Sequence, residues 1–224
     1  MKQTILKLSV AIFALFGFSY AMYAQDTNER LPRFTYEVGI GASVFTGIQN
    51  FSPWGVHYRG NFNRGTSVYA QVNYIFPSQM LLGFKLDMFG ATGNYTLASG
   101  ERVAENIGIL YFAPQWGSVR SFSPRVLMTS NVGIGYALYQ SDGLLDNTEY
   151  RIRSHMIGGN ASFSLAYSLT RNSAVGFRTS IFTAHSNGRQ HREIGGERST
   201  VTMDEMNRII PARMDFSLFW RVQF

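Results

Sequence analysis

The chain has 224 residues, a formal net charge of +6, 45% hydrophobic and 15% aromatic residues, and no cysteine. A chain of this length fits one domain of ordinary size. The lack of cysteine excludes a disulfide framework and a lipid-modified N-terminal cysteine. The basic excess is modest and indicates no particular class of partner.

The N-terminal residues have the order of a secretory signal peptide. Lys2 and Lys7 form a short basic segment, an apolar run covers 8–18, and small residues follow up to Ala21 and Ala24. A retained signal anchor is the alternative, but the run is shorter than the ~20 residues of a spanning helix. Cleavage after Ala21 and cleavage after Ala24 both fit the pattern. Export makes nucleic acid an unexpected partner.

Eight segments of the remaining chain alternate between apolar and polar side chains, which is the pattern of a half-exposed β-strand. In the first segment, Tyr36 and Val38 lie on one side and Glu37 and Gly39 on the other, because successive strand side chains point to opposite faces. The fourth segment is the least regular, and Pro114 within it predicts a bulge or an early end. In chain order the segments are 34–46, 66–76, one beginning near 80, 105–120, 125–139, 151–169, 174–184 and 212–224.

The connections between these segments alternate in length. Links two–three, four–five and six–seven are short, at 77–79, 121–124 and 170–173, whereas the other four are longer and polar. Short turns on one rim and long loops on the other are typical of membrane barrels with an even number of strands. The sequence therefore predicts an all-β fold, an eight-stranded antiparallel up-and-down transmembrane β-barrel.

The last segment places large apolar residues on one face of a strand that ends in Phe. It resembles the C-terminal signal strand of the small bacterial outer-membrane β-barrel proteins, which the insertion machinery reads. The resemblance covers the whole mature chain and implies a membrane-insertion signal made of Phe216, Leu218, Trp220, Val222 and Phe224.

That resemblance also implies a location and a set of partners. We expect the bacterial outer membrane, contacts with outer-membrane lipids and lipopolysaccharide, and assembly through periplasmic chaperones and the barrel insertion machinery. An unknown extracellular ligand is a further expectation. The expected organisation is a signal peptide at 1–24, a short periplasmic segment at 25–33 and the barrel at 34–224.

The alternation alone does not say which face lies inside, so a soluble lipocalin-like carrier is the structural alternative. The terminal Phe, the strand lengths and the aromatic residues near strand ends favour an apolar exterior. The lumen of eight strands is only wide enough for side chains to fill. An ion network inside it would be a structural plug or, alternatively, a gated proton or ion path. The expected members are Glu37, Lys85, Asp87, Arg178, Arg213, Asp215 and Arg221.

Function would then lie in the outer loops. In the first loop, 47–65, Trp54, Tyr58 and Arg59 are candidates for a recognition surface, because aromatic and Arg residues are enriched at interfaces. The alternative is that the rings rest at the lipid interface. The last loop, 187–208, mixes Arg with Glu and Asp, so it could contact phosphates of surface glycolipid or pair with itself.

One segment bears on catalysis. His185, Ser186 and Asn187 resemble the His-x-Ser-Asn region of the lipid A deacylase barrels, in which His activates a Ser nucleophile. Here His and Ser are adjacent, so they would point to opposite faces of a strand. We therefore assign no catalytic residue, and neither a metal site nor a cofactor is expected.

The sequence thus favours a non-enzymatic barrel that acts in envelope integrity or surface binding. A narrow channel for ions or small solutes is the first alternative. A lipid A deacylase-like hydrolase is the second.

Overall fold

The computed structural model describes residues 31–46, 53–54, 56–57, 60–62, 64–203 and 209–224. The expected signal peptide and most of the segment 25–33 lie outside the described residues. The described residues form ten strands: β1 Phe34–Phe45, β2 Gly65–Ile75, β3 Met80–Thr96, β4 Arg102–Ser123, β5 Val126–Leu145, β6 Thr148–Ser168, β7 Ser173–Ser186, β8 Arg189–Ile194, β9 Glu197–Thr202 and β10 Ala212–Gln223. Among the residues that the structure describes, no helix is long and apolar enough to cross a membrane.

Eight of these strands close into an antiparallel ring. Neighbours in sequence pair from β1 to β7, β10 pairs with β7, and β1 pairs with β10. The closing seam runs from Thr35 opposite Gln223 to Phe45 opposite Arg213. The predicted eight-stranded up-and-down barrel is confirmed.

The outward face carries a belt of exposed apolar side chains. On β10, for example, Phe216, Leu218 and Trp220 are exposed, whereas Ser217 and Phe219 between them are buried. Leu218 is 68% exposed, and Ile134 and Ile157 on β5 and β6 exceed 70%. An apolar surface of this extent is stable only against lipid. The soluble carrier, which needs these side chains inside, is excluded.

Four strands continue beyond the membrane-spanning part of the barrel. Ala91, Ile107 and Ser141 lie on one level, just above the first residues of β2, and β7 ends opposite Met156. We call residues 91–107 and 141–155, together with β8 and β9, the outer extension. The prediction of a long loop between the fifth and sixth strands is wrong, because β5 and β6 extend until only a two-residue turn separates them.

The last loop also differs from expectation, because it contains the hairpin β8–β9, which pairs with the outer end of β6. Gly195 and Gly196 turn the hairpin with φ of 57° and 89°, and Asp146 and Asn147 turn β5 into β6 with φ of 44° and 74°. Positive φ at both central residues is the turn geometry that matches strand twist. Gly195-Gly196 and Asp146-Asn147 were therefore the sequence signals for the β8–β9 and β5–β6 hairpins.

Pro114 neither bulges nor ends its strand, so that expectation is wrong. The register of β4 on β5 is the same on both sides of it, from Phe112 opposite Tyr136 to Gln115 opposite Gly133. The irregularity lies instead at the periplasmic end of β4, between Ser121 and Ser123. An extended backbone accommodates the φ of proline, and the cost is local, limited to the missing N–H donor.

Candidate functional site

The barrel interior holds two groups of buried charges, and the first is centred on Glu37. Its carboxylate accepts hydrogen bonds from Arg221 Nη2 at 2.8 Å and Arg221 Nε at 3.0 Å, and it forms an ion pair with Arg178 Nη2 at 2.8 Å. The Tyr69 hydroxyl donates to the same carboxylate at 2.7 Å. One acid thus serves two arginines, each almost completely buried.

The second group is centred on Asp87, Arg213 and Asp215. Asp87 bonds to Lys85 Nζ at 2.8 Å and to the Arg213 guanidinium, and Arg213 Nε lies 3.1 Å from Asp215. Ser180 donates to Asp215 Oδ2 at 3.0 Å. All seven residues expected to form an interior network therefore lie inside the barrel, in two linked groups.

Aromatic rings pack against the cations of both groups. The Arg178 guanidinium carbon lies 4.5 Å and Lys85 Nζ lies 5.3 Å from the centroid of Tyr69. Arg213 lies between Phe89 and Phe182, at 4.4 Å and 4.7 Å. Four bases face three acids, and cation–π contacts offset part of the excess positive charge because the ring face is electron-rich.

Glycine makes room for these rings on the inner face. A Cβ on Gly39 would lie 2.5 Å from the ring of Tyr69, and a Cβ on Gly176 would lie 2.4 Å from that of Phe219. Any larger residue would displace the ring. Gly39 thereby lets Tyr69 lie flat across the sheet and reach Glu37.

Apolar layers lie above and below the charges. Towards the periplasmic rim the lumen is filled by a cluster that includes Ile75, Leu81, Val119, Leu127, Ala166 and Ala174. Towards the exterior a second cluster includes Phe89, Ile107, Ile109, Tyr111, Tyr139, Met156 and Phe182. The interior is thus a stack of packed layers.

A further buried acid, which the sequence analysis did not single out, lies near the outer mouth. Glu105 on β4 is 2% exposed and accepts from Tyr95, from Ser141 at 2.5 Å and from Tyr139 at 3.3 Å. No Lys or Arg among the described residues forms an ion pair with it. Burial raises the pKa of Glu105 above its usual value, against the lowering effect of the hydroxyl donors. The available signal was an acid between Val103 and Ile107 on an otherwise apolar face.

Trp54, one of the candidate recognition residues, lies at this mouth as well. Its ring packs edge-on against Tyr150 at 5.1 Å, and Arg192 lies over it at 5.8 Å. It covers the lumen instead of resting at the lipid interface. Tyr58 and Arg59 lie outside the described residues.

The segment that resembles a catalytic motif is split between two faces. His185 is exposed on the outer face of β7, and Ser186 is 1% exposed on the inner face. Ser186 Oγ lies 2.8 Å from Ser154 Oγ and accepts from Gly188 N at 3.2 Å. This geometry gives Ser186 a structural role in the outer mouth and does not place His185 as its base. Within the described ranges, no His, Cys, Asp or Glu cluster could hold a metal ion.

No protein-family model and no curated protein matches this chain. Solved outer-membrane barrels do share its fold. The outer membrane protein OprG from Pseudomonas aeruginosa is 11% identical with a TM-score of 0.54, and the match covers 89% of this chain and 100% of OprG. A major outer membrane protein from Thermus thermophilus is 14% identical with a TM-score of 0.53, over 85% of this chain and 99% of that one.

At these identities the likeness concerns the fold alone. The fold is that of the small outer-membrane β-barrel proteins. Combined with the apolar belt, it places the chain in a bacterial outer membrane.

Proposed function

We propose that the chain is a non-enzymatic outer-membrane barrel with a plugged interior. It presents its outer extension at the cell surface and acts in envelope integrity or surface binding. The observation that carries this proposal is the stack of packed layers in the lumen.

The buried charges support the plug. Each ion in the interior would cost several kcal/mol if left unpaired, and both Glu37 and Asp87 hold two cations by direct contacts. A solute crossing the barrel would have to part these pairs. It would also have to displace the ring of Tyr111, which packs on Phe182 with centroids 5.0 Å apart.

The outer extension supports the display role. Its strands rise from the rim with hydrogen-bonded registers that run out to Leu145 opposite Thr148. A surface fixed in this way can bind without the entropy cost of ordering a flexible loop. The outward apolar face of β10 supports a proposed role for Phe216, Leu218, Trp220, Val222 and Phe224 as the signal for the insertion machinery.

Single-channel recording in planar bilayers tests the plug. We expect no resolved conductance steps from the purified protein. A variant with Tyr111→Ala and Phe182→Ala, which removes two rings of the outer apolar layer, should still show no steps, because the paired charges and the periplasmic apolar cluster remain below it. Resolved steps from the unmodified protein would remove the proposal.

One observation favours the narrow channel as the second candidate. Asn131, Ser162 and Ser164 face the lumen side by side on β5 and β6. Their side chains have no hydrogen-bond partner within the described part of the chain. A polar strip of this kind could carry small ions past the charged groups. Ion-selective steps that disappear on replacing Asn131 by Leu would favour this candidate over the plug.

A further inference from the structure

We propose that the outward face of the sheet formed by β6, β8 and β9 binds the phosphate groups of lipopolysaccharide, the anionic glycolipid of the outer leaflet. The inference deepens the surface binding proposed above and rests on it.

The three strands bring basic side chains onto one face. Arg151 and Arg153 are exposed on β6, and their Cα partners on β8 are Glu193 and His191. The next strand, β9, places Arg198 opposite Glu193. These residues line an open groove of about 590 Å³.

The groove retains positive charge after internal pairing. Arg198 Nε lies 3.4 Å from Glu193, but Arg198 is 82% exposed and this pair is weak. Arg151 and Arg153 form no ion pair with any described residue, and Asp142, the β5 neighbour of Arg151, lies outside ion-pair distance. Arg151, Arg153 and Arg198 thus share one carboxylate in the groove, and the fourth lining arginine, Arg192, turns its guanidinium towards Trp54.

The height of the groove fits a lipid head group. On the same face of β6 the order towards the exterior is Ile157, which is 72% exposed, then His155, then Arg153. His155 bonds to Tyr136, and its ring centroid lies 6.1 Å from that of His191. Four residues of strand place Arg153 about 13 Å from Ile157 along β6. Apolar, aromatic and cationic groups follow one another in the order of a glycolipid from acyl chain to phosphate.

The chemistry of the side chains favours phosphate as the bound group. The planar guanidinium holds two phosphate oxygens at once, which a point charge does not. A basic cluster beside a membrane gains attraction from anionic head groups. A soluble anion would lack the apolar contacts with Ile157 below the groove.

Binding of lipid A to the purified protein in detergent micelles tests the proposal. The probes are bisphosphorylated lipid A, the same lipid after phosphatase treatment, and inorganic pyrophosphate. The test variant carries Arg151→Gln, Arg153→Gln and Arg198→Gln. The matched control carries Arg33→Gln, Arg125→Gln and Arg171→Gln, which remove the same charge from the periplasmic rim.

We expect the test variant to bind bisphosphorylated lipid A about tenfold or more weakly than the unmodified protein, and the control to bind it as tightly. The dephosphorylated lipid should bind the unmodified protein and the test variant equally. Arg198→Gln alone, on the exposed hairpin and away from the barrel wall, should weaken binding in the same direction.

Equal affinity of the test variant and the unmodified protein for bisphosphorylated lipid A would overturn the proposal. Pyrophosphate bound as tightly as the lipid would also overturn it, since the groove would then be a general anion site. Failure here is distinguishable from failure of the plug, because none of the three arginines faces the lumen. Conductance steps would remove the plug and leave this site intact.

Discussion

Glu37 holds together the first of the two groups of buried charges in the barrel interior. It pairs with both Arg178 and Arg221 and accepts a hydrogen bond from Tyr69. Its strand neighbour two residues on, Gly39, provides the space in which that ring lies. Charge pairing and shape are therefore set by the same stretch of β1.

Replacing Glu37 by Gln leaves two buried guanidinium groups close together without their shared carboxylate. We expect the free energy of unfolding to fall by about 3–5 kcal/mol, measured by denaturant titration in lipid vesicles. Glu149→Gln, at the exposed start of β6, should change it by less than about 0.5 kcal/mol. Similar losses in both variants would contradict the role given to Glu37.

The interior ions could be predicted from the sequence because each lies on the face of its strand opposite the large apolar side chains. Their pairing could not, since Arg221 and Glu37 are brought together only by closure of the ring. Glu105 escaped prediction for a related reason. Its neighbours Tyr95, Tyr139 and Ser141 come from other strands whose outer ends were not recognised.

At the scale of the strand, the two faces exchange character where the membrane ends. Along β6 the outward side chains change from Ile157 to Arg153 and Arg151, while the inward ones change from polar to Ile152 and Tyr150. Apolar and polar side chains still alternate, but beyond the membrane the apolar ones point inward and the polar ones outward. The predicted fifth strand therefore stopped at Tyr139, and the rest of β5 up to Leu145 was predicted as loop, whereas the predicted sixth segment already began at Arg151.

The stability of the outer extension should depend on pH through Glu105. Because burial raises its pKa in the folded protein, folded Glu105 keeps a proton that the unfolded chain releases above the usual value of 4.5. The stabilising contribution is complete below that value and is lost as the pH rises through the raised pKa. Hydrogen exchange of the outer ends of β3–β5 should accordingly quicken beyond the intrinsic pH effect.

Glu105→Gln should remove this dependence, because an amide cannot release a proton. Glu149→Gln is again the control and should leave the dependence unchanged. A pH dependence that survives in Glu105→Gln would assign it to another group.

For the whole molecule, the position of the apolar face of the barrel wall decides the class of protein: outside in a membrane barrel, inside in a soluble carrier. An arginine at Leu218, near the middle of β10, would meet hydrocarbon. We expect Leu218→Arg to lower the free energy of unfolding in vesicles by about 2–4 kcal/mol. Thr170→Arg, on the periplasmic turn, should cost about 0–1 kcal/mol, and equal effects would contradict the membrane orientation.

The seam between β1 and β10 has a consequence for the order of events in assembly. Thr35 cannot meet Gln223 until the translocated polypeptide has delivered its final strand, so ring closure is a late step with a large entropic barrier. Until closure, β1 and β10 are edge strands whose unpaired amides and carbonyls can pair with a strand of another polypeptide. The polypeptide is therefore most prone to misassociation between export and ring closure. A chaperone that covers both edge strands would act in that interval.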